Sequence, residues 1–184
     1  SIGVLVDGPD WCRAAAEQGV QSLRTTHWDA EREGFDWLLA GRETADGTRF
    51  CYGHAFVLLA AARAVEAGIP DAGALLETAH TVLVDRFWEP EHGLFADRAS
   101  RDWGSLDPYR GGNVNMHACE ALIAAYEATG ETAYIDRAYD IAEVFARDLA
   151  TGTDGRIWEH YTDDWTHDFE YNREQPRHKF RPWG

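Results

Sequence analysis

The feature that most limits what this chain can fold into is an alternation of helix pairs with short Trp/Gly turn segments, returning at about sixty residues. The segment His27-Trp28-Asp29, closed by Gly34-Phe35-Asp36, is followed by Phe87-Trp88-Glu89-Pro90 and Gly93-Leu94-Phe95-Ala96-Asp97, so that Trp28 and Trp88 stand 60 positions apart. A third turn segment, Gly152-Thr153-Asp154-Gly155-Arg156-Ile157-Trp158-Glu159, again follows the second helix of a pair. Units of this kind cannot bury their apolar faces alone, and stacking them gives either an α-solenoid or a closed toroid of helix hairpins. Aromatic turns collected at one rim favour the toroid, with short β-hairpins at that rim.

Apolar spacing places the helices between the turns. The first opens at Pro9 or Asp10 and ends near Thr26. A long helix over residues 50–67 is expected to bury Phe56, Leu59, Ala60, Arg63 and Ala64, and stops at Gly68 and Pro70. Residues 71–87 carry Leu75, Leu76, Ala79, Val82 and Leu83 on one face. Residues 115–129 and 131–149 form an antiparallel pair around the helix stop Gly130. Phe35 and Trp37 alternate as in a short strand, and Asp46-Gly47 is a hairpin-type turn. His54 and His117 lie 63 positions apart, each at the start of the inner helix of a pair, which predicts that Tyr52, His54, Asn113 and His117 gather around one mouth.

Chemistry concentrates in residues 110–120, Arg-Gly-Gly-Asn-Val-Asn-Met-His-Ala-Cys-Glu, which set polar groups at the entry of a helix that continues through Ala121, Leu122 and Ile123. Asn113, His117 and Glu120 are spaced to share one helical face. The chain is 45% apolar, enough for one domain with a substantial core, and its net charge of −15 disfavours binding to nucleic acid or to an anionic membrane. No run reaches the roughly 18 apolar residues of a membrane span, and the first residues lack the form of a signal peptide, so a cytoplasmic location is expected. Three cysteines without CxxC spacing indicate neither disulfides nor a zinc knot, and the histidines show no ligand spacing, so no metal is expected. Eight tryptophans fit either a carbohydrate cleft, where aromatic faces stack on sugar C–H surfaces, or an aromatic helical core. The adjacent Asp163 and Asp164 invite a glycoside hydrolase reading, but neighbouring side chains point apart, and a solvated turn is the plainer account.

The motifs at 50–56 (Phe-Cys-Tyr-Gly-His-Ala-Phe), 111–120 (Gly-Gly-Asn-Val-Asn-Met-His-Ala-Cys-Glu) and 180–184 (Phe-Arg-Pro-Trp-Gly) resemble the N-acylglucosamine 2-epimerase superfamily, and within it the cofactor-independent aldose–ketose isomerases of mannose-like sugars. The resemblance implies an all-α (α/α)6 barrel with a monosaccharide in its central cavity and no cofactor. It implies that Tyr52, Asn113 and Arg181 hold the sugar, that His117 also assists ring opening, and that Glu120 steadies the cluster. The family's chemistry is a proton transfer between C1 and C2 through a cis-enediol, with histidines as acid and base and Arg181 suited to the enediolate oxygen. In the family a Gly-His-x-x-Glu-Trp motif follows the Arg-Pro-aromatic-Gly motif, and an aromatic/Arg motif precedes the segment matched here. The sequence therefore reads as an internal fragment of a single barrel domain, a partial arc that carries the substrate-binding half. Apolar helix faces left open in such an arc invite self-association. A hydrolase on the same toroid and a non-catalytic sugar-binding or assembly fragment are the other function classes.

Overall fold

The computed structural model describes residues 2–5, 7–171 and 174. In chain order the helices are the short α1 (Ile2–Leu5), α2 (Trp11–Ser22), α3 (Cys51–Glu66), α4 (Ala72–Arg86), α5 (Gly112–Thr129) and α6 (Thr132–Glu143). The strands are β1 (Trp28–Asp29), β2 (Gly34–Phe35), β3 (Leu38–Ala40), β4 (Glu43–Asp46), β5 (Arg49–Phe50), β6 (Trp88–Glu89), β7 (Leu94–Phe95), β8 (Arg98–Ala99), β9 (Arg110–Gly111) and β10 (His160–Tyr161). Helices α3 and α5 pack on each other as an inner layer, with α4 and α6 behind them and α2 against α3. Both inner helices bury many small residues, among them Ala55, Ala61, Ala62, Ala118, Ala121 and Ala125, which suits close packing against neighbouring helices.

The sixty-residue repeat is visible in the hydrogen bonds. Trp28 pairs with Phe35 in β1–β2, and Trp88 with Phe95 in β6–β7, at the same register. Each hairpin is then pinned to the next inner helix by one buried side chain. His54 accepts the Phe35 amide at Nε2 (3.1 Å), and its Nδ1 lies 2.7 Å from the Phe50 carbonyl. Asn115 accepts the Phe95 amide (2.8 Å) and donates to the Phe95 and Gly111 carbonyls. A second pin is ionic: fully buried Arg49 reaches Asp29 at 2.9 Å, and buried Arg110 reaches Glu89 at 2.6 Å. Arg49 also pairs with Asp36 at 2.7 Å.

Successive units are stitched in one direction. Strand β5 pairs with β8, and β9 with β10. The first amide of α3, on Cys51, donates to the Asp97 carbonyl, and that of α5, on Gly112, to the Glu159 carbonyl, both at 2.8 Å. These bonds satisfy donors that a helix start leaves without intrahelical acceptors.

The repeat corrects one register. The structural counterpart of His54 is Asn115, 61 positions on; His117 corresponds to Phe56. His54 is therefore a buried pin turned away from the mouth it was expected to line. The face of α3 holding Phe56 and Ala60 is likewise exposed, while the buried face holds Cys51, His54, Ala55, Val57 and Leu58. Helix α5 starts three residues earlier than 115, because Glu159 caps it. The β3–β4 hairpin turns at Gly41, which has φ +69°, ahead of Asp46-Gly47. After α6 the helical path continues as a π turn at Val144–Asp148 and a 3-10 turn at Leu149–Thr153, over the span expected to end near residue 149.

Replacing Asn115 with leucine strands both polar groups of Phe95, and is expected to cost about 2–3 kcal/mol in urea unfolding. His54 supplies an acid-sensitive element. Burial lowers its pKa to about 4, with the nearby Arg49 charge adding to the shift and the Phe50 carbonyl opposing it. Its contribution to stability is complete above the free-imidazole value of 6.5 and is lost as pH falls to about 4. His54→Asn, which installs the second repeat's pin, is expected to fold and to show a shallower loss of stability between pH 6.5 and 4 in thermal melts.

Candidate active site

The pins fix which residues of the inner helices face outward. Tyr52 and Phe56 are two positions either side of His54, and Asn113 and His117 are two either side of Asn115, so all four lie on the face opposite the buried pin. This face continues along α5 through Met116, Glu120 and Ile123, all exposed. The expected face of Asn113, His117 and Glu120 is the one observed.

His117 is the centre of the cluster. Its ring stands edge-on to Tyr52, with centroids 5.2 Å apart at 88°, and tilts over Phe56 at 4.9 Å. Nδ1 lies 3.0 Å from Glu120 Oε2, so a proton on Nδ1 is directed at the carboxylate and Nε2 is the nitrogen with a lone pair for chemistry. Tyr52 and Phe56 pack on each other at 4.7 Å and complete an aromatic wall around the imidazole. Asn113 lies one turn before His117 on α5, and its backbone N–H donates to Glu159 Oε1 at 3.2 Å. Beside it, Gly112, Met116, Ile141, Phe145 and Ile157 line an open apolar cavity of about 500 Å³. Arg181 lies outside the described residues.

Other expected polar groups have structural duties. Arg110 is held by Glu89, and Asn115 is wholly buried in its pin. Asp164 is exposed and accepts from Thr162 and from the Thr166 amide, capping a turn, so the Asp163–Asp164 pair is not a catalytic dyad. No group of three metal-ligating side chains occurs among the described residues.

Two acids at the start of α5 carried no signal in the sequence beyond their place in the rim segments. Glu159 caps the helix through both its carbonyl and its side chain. Asp97 lies beside Gly111, where an added Cβ would stand 3.2 Å from its Oδ2, and that oxygen is buried without a hydrogen-bond partner. Burial pushes its pKa up to about 7; the Gly111 amide opposes the rise and the Glu159 charge adds to it. Burial likewise raises the pKa of Tyr109, whose hydroxyl lies 2.8 Å from His160 Nδ1.

The N-acylglucosamine 2-epimerase (GlcNAc 2-epimerase) profile matches residues 1–184. The chain belongs to this family. It is 43% identical over 171 residues to a D-mannose isomerase of Marinomonas mediterranea, an alignment that covers 92% of this chain and 43% of the relative. A crystal structure of D-mannose isomerase superposes with a TM-score of 0.86 at 43% identity, over 94% of this chain and 44% of that one. The cellobiose 2-epimerase of Spirochaeta thermophila, at 21% identity and a TM-score of 0.73 over 80% of this chain and 40% of its own, shares the fold. The architecture is thus an arc of the (α/α)6 barrel, and the chain spans less than half the length of the relatives it matches.

Asp97 is neutral in the folded chain over a range where the unfolded chain ionises it. Its contribution to stability is complete below 3.8 and is lost as pH rises through about 7. Asp97→Asn is expected to gain in melting temperature over the unchanged protein across that interval, the opposite tilt to that of His54.

Proposed function

We propose that the protein is an aldose–ketose isomerase or 2-epimerase of mannose-like monosaccharides, working without a cofactor, and that this chain carries its sugar-holding residues. The observation that carries the reading is His117, fixed between two aromatic rings and a carboxylate on the exposed face of the inner helices, in a chain 43% identical to a D-mannose isomerase. The neutral imidazole takes the proton of the anomeric O1 hydroxyl at Nε2 as the C1–O1 double bond forms and the C1–O5 bond breaks, and delivers it to the departing ring oxygen O5, with Glu120 stabilising the transient imidazolium. Tyr52 and Phe56 limit water on its flanks, and Asn113 offers an amide to the sugar hydroxyls. The transfer of a proton between C1 and C2 draws on the family's further histidines, with Arg181 at the enediolate oxygen.

Among the described residues no helix is long and apolar enough to cross a membrane. The three free cysteines suit a reducing cytoplasm, where we place the protein.

Incubation with mannose of this chain together with the family's further histidines is expected to yield fructose, detected by chromatography. His117→Ala is expected to lower kcat/KM by about a hundredfold or more, the scale of a lost acid–base group. Conversion unchanged by that substitution would remove His117 from the reaction. Release of reducing ends from oligosaccharides, with mannose untouched, would replace the isomerase by a hydrolase.

A further inference from the structure

The first repeat carries at its rim an aromatic group that no role above uses. Trp37 stands two residues after Phe35, the position that Asp97 holds after Phe95. Its indole packs on the first turn of α3: a Cβ built on Gly53 would stand 3.1 Å from ring atom Cε3 and 3.2 Å from Cζ3, so any larger residue there would push the ring from its place by a few tenths of an ångström. Phe50 packs against it at 4.9 Å, and the Tyr52 ring meets it edge-on at 6.3 Å. Three neighbours therefore locate the indole, yet 44% of the residue is exposed.

Its polar atom is also open to a ligand: Trp103, Trp158 and Trp165 each donate the indole N–H to a protein oxygen, whereas Trp37, like Trp11, Trp28 and Trp88, meets no acceptor among the described residues. The exposed ring, with Tyr52, Phe56 and His27, lines a cavity of about 390 Å³, within the range of small-molecule pockets, roughly 300–1,000 Å³. Tyr52 joins this cavity to His117, since it touches both rings.

We propose that Trp37 is a specificity-determining residue of the same site, stacking on the C–H face of the monosaccharide and donating its N–H to a hydroxyl, with Gly53 as its seat. The inference rests on the isomerase reading for the nature of its ligand. An immobile indole costs little entropy to engage, and an apolar face with a polar edge matches a pyranose, whose C–H bonds and hydroxyls lie on different surfaces.

The test is fluorine NMR of protein labelled with 5-fluorotryptophan, in which Trp37→Phe identifies the Trp37 resonance. Titration with mannose is expected to shift that resonance. Trp37→Ala and Gly53→Ala are each expected to weaken mannose binding about tenfold, the scale of one aromatic stack, with Trp37→Phe in between. A purely structural Trp37 would instead lower the melting temperature and leave the titration of the unsubstituted protein silent at this resonance. Mannose binding with an unmoved Trp37 resonance, or with full affinity in folded Trp37→Ala, overturns this inference alone. Absence of binding by both mannose and fructose to the unsubstituted protein overturns the isomerase reading together with it.

Discussion

One interaction organises the rest: a buried polar side chain, fourth in each inner helix, that bonds the backbone at the end of the preceding hairpin. His54 and Asn115 differ in chemistry but make the same connection. A hairpin of two-residue strands has little stability of its own, so its position depends on this bond and on the buried Arg–carboxylate pair beside it. Removing one partner of such a pair leaves an uncompensated buried charge, at a cost of about 3–5 kcal/mol. The pins are thus more consequential than any single apolar contact of the alanine-rich inner helices.

The same bonds set the functional face. A residue pinned inward forces those two before and two after it outward, and the two repeats place Tyr52, Phe56, Asn113 and His117 there. The units then diverge in chemistry while keeping geometry. The first supplies aromatic surface and the second supplies an amide and an imidazole. At the rim, Trp37 in one unit is matched by Asp97 in the next, an indole against a buried acid.

The periodicity of helix pairs and hairpins, the helix bounds within a few residues, and the shared face of Asn113, His117 and Glu120 were legible in the sequence, because each follows from spacing along a single element. The roles of the two histidines were only partly legible. His54 and His117 both occur near a helix start before an alanine, but they sit two residues apart in helical phase, and phase is set by a hairpin bond that spacing between histidines does not reveal. Phe56 was misassigned to the core because an aromatic residue reads the same whether it faces the barrel interior or a neighbouring helix. Asp97 and Glu159 gave no sign of their positions, since their environment is created by strand pairing between units distant in sequence.

The direction of stitching between units has a consequence for how the arc is made. An inner helix receives the acceptor for its first amide from the following unit: Cys51 from Asp97, and Gly112 from Glu159. During synthesis each unit therefore emerges with the start of its inner helix unfinished, and the next unit closes it on arrival. Order would spread through the barrel from each newly made segment back onto the one before, so the mouth of the site is among the last features of a unit to set.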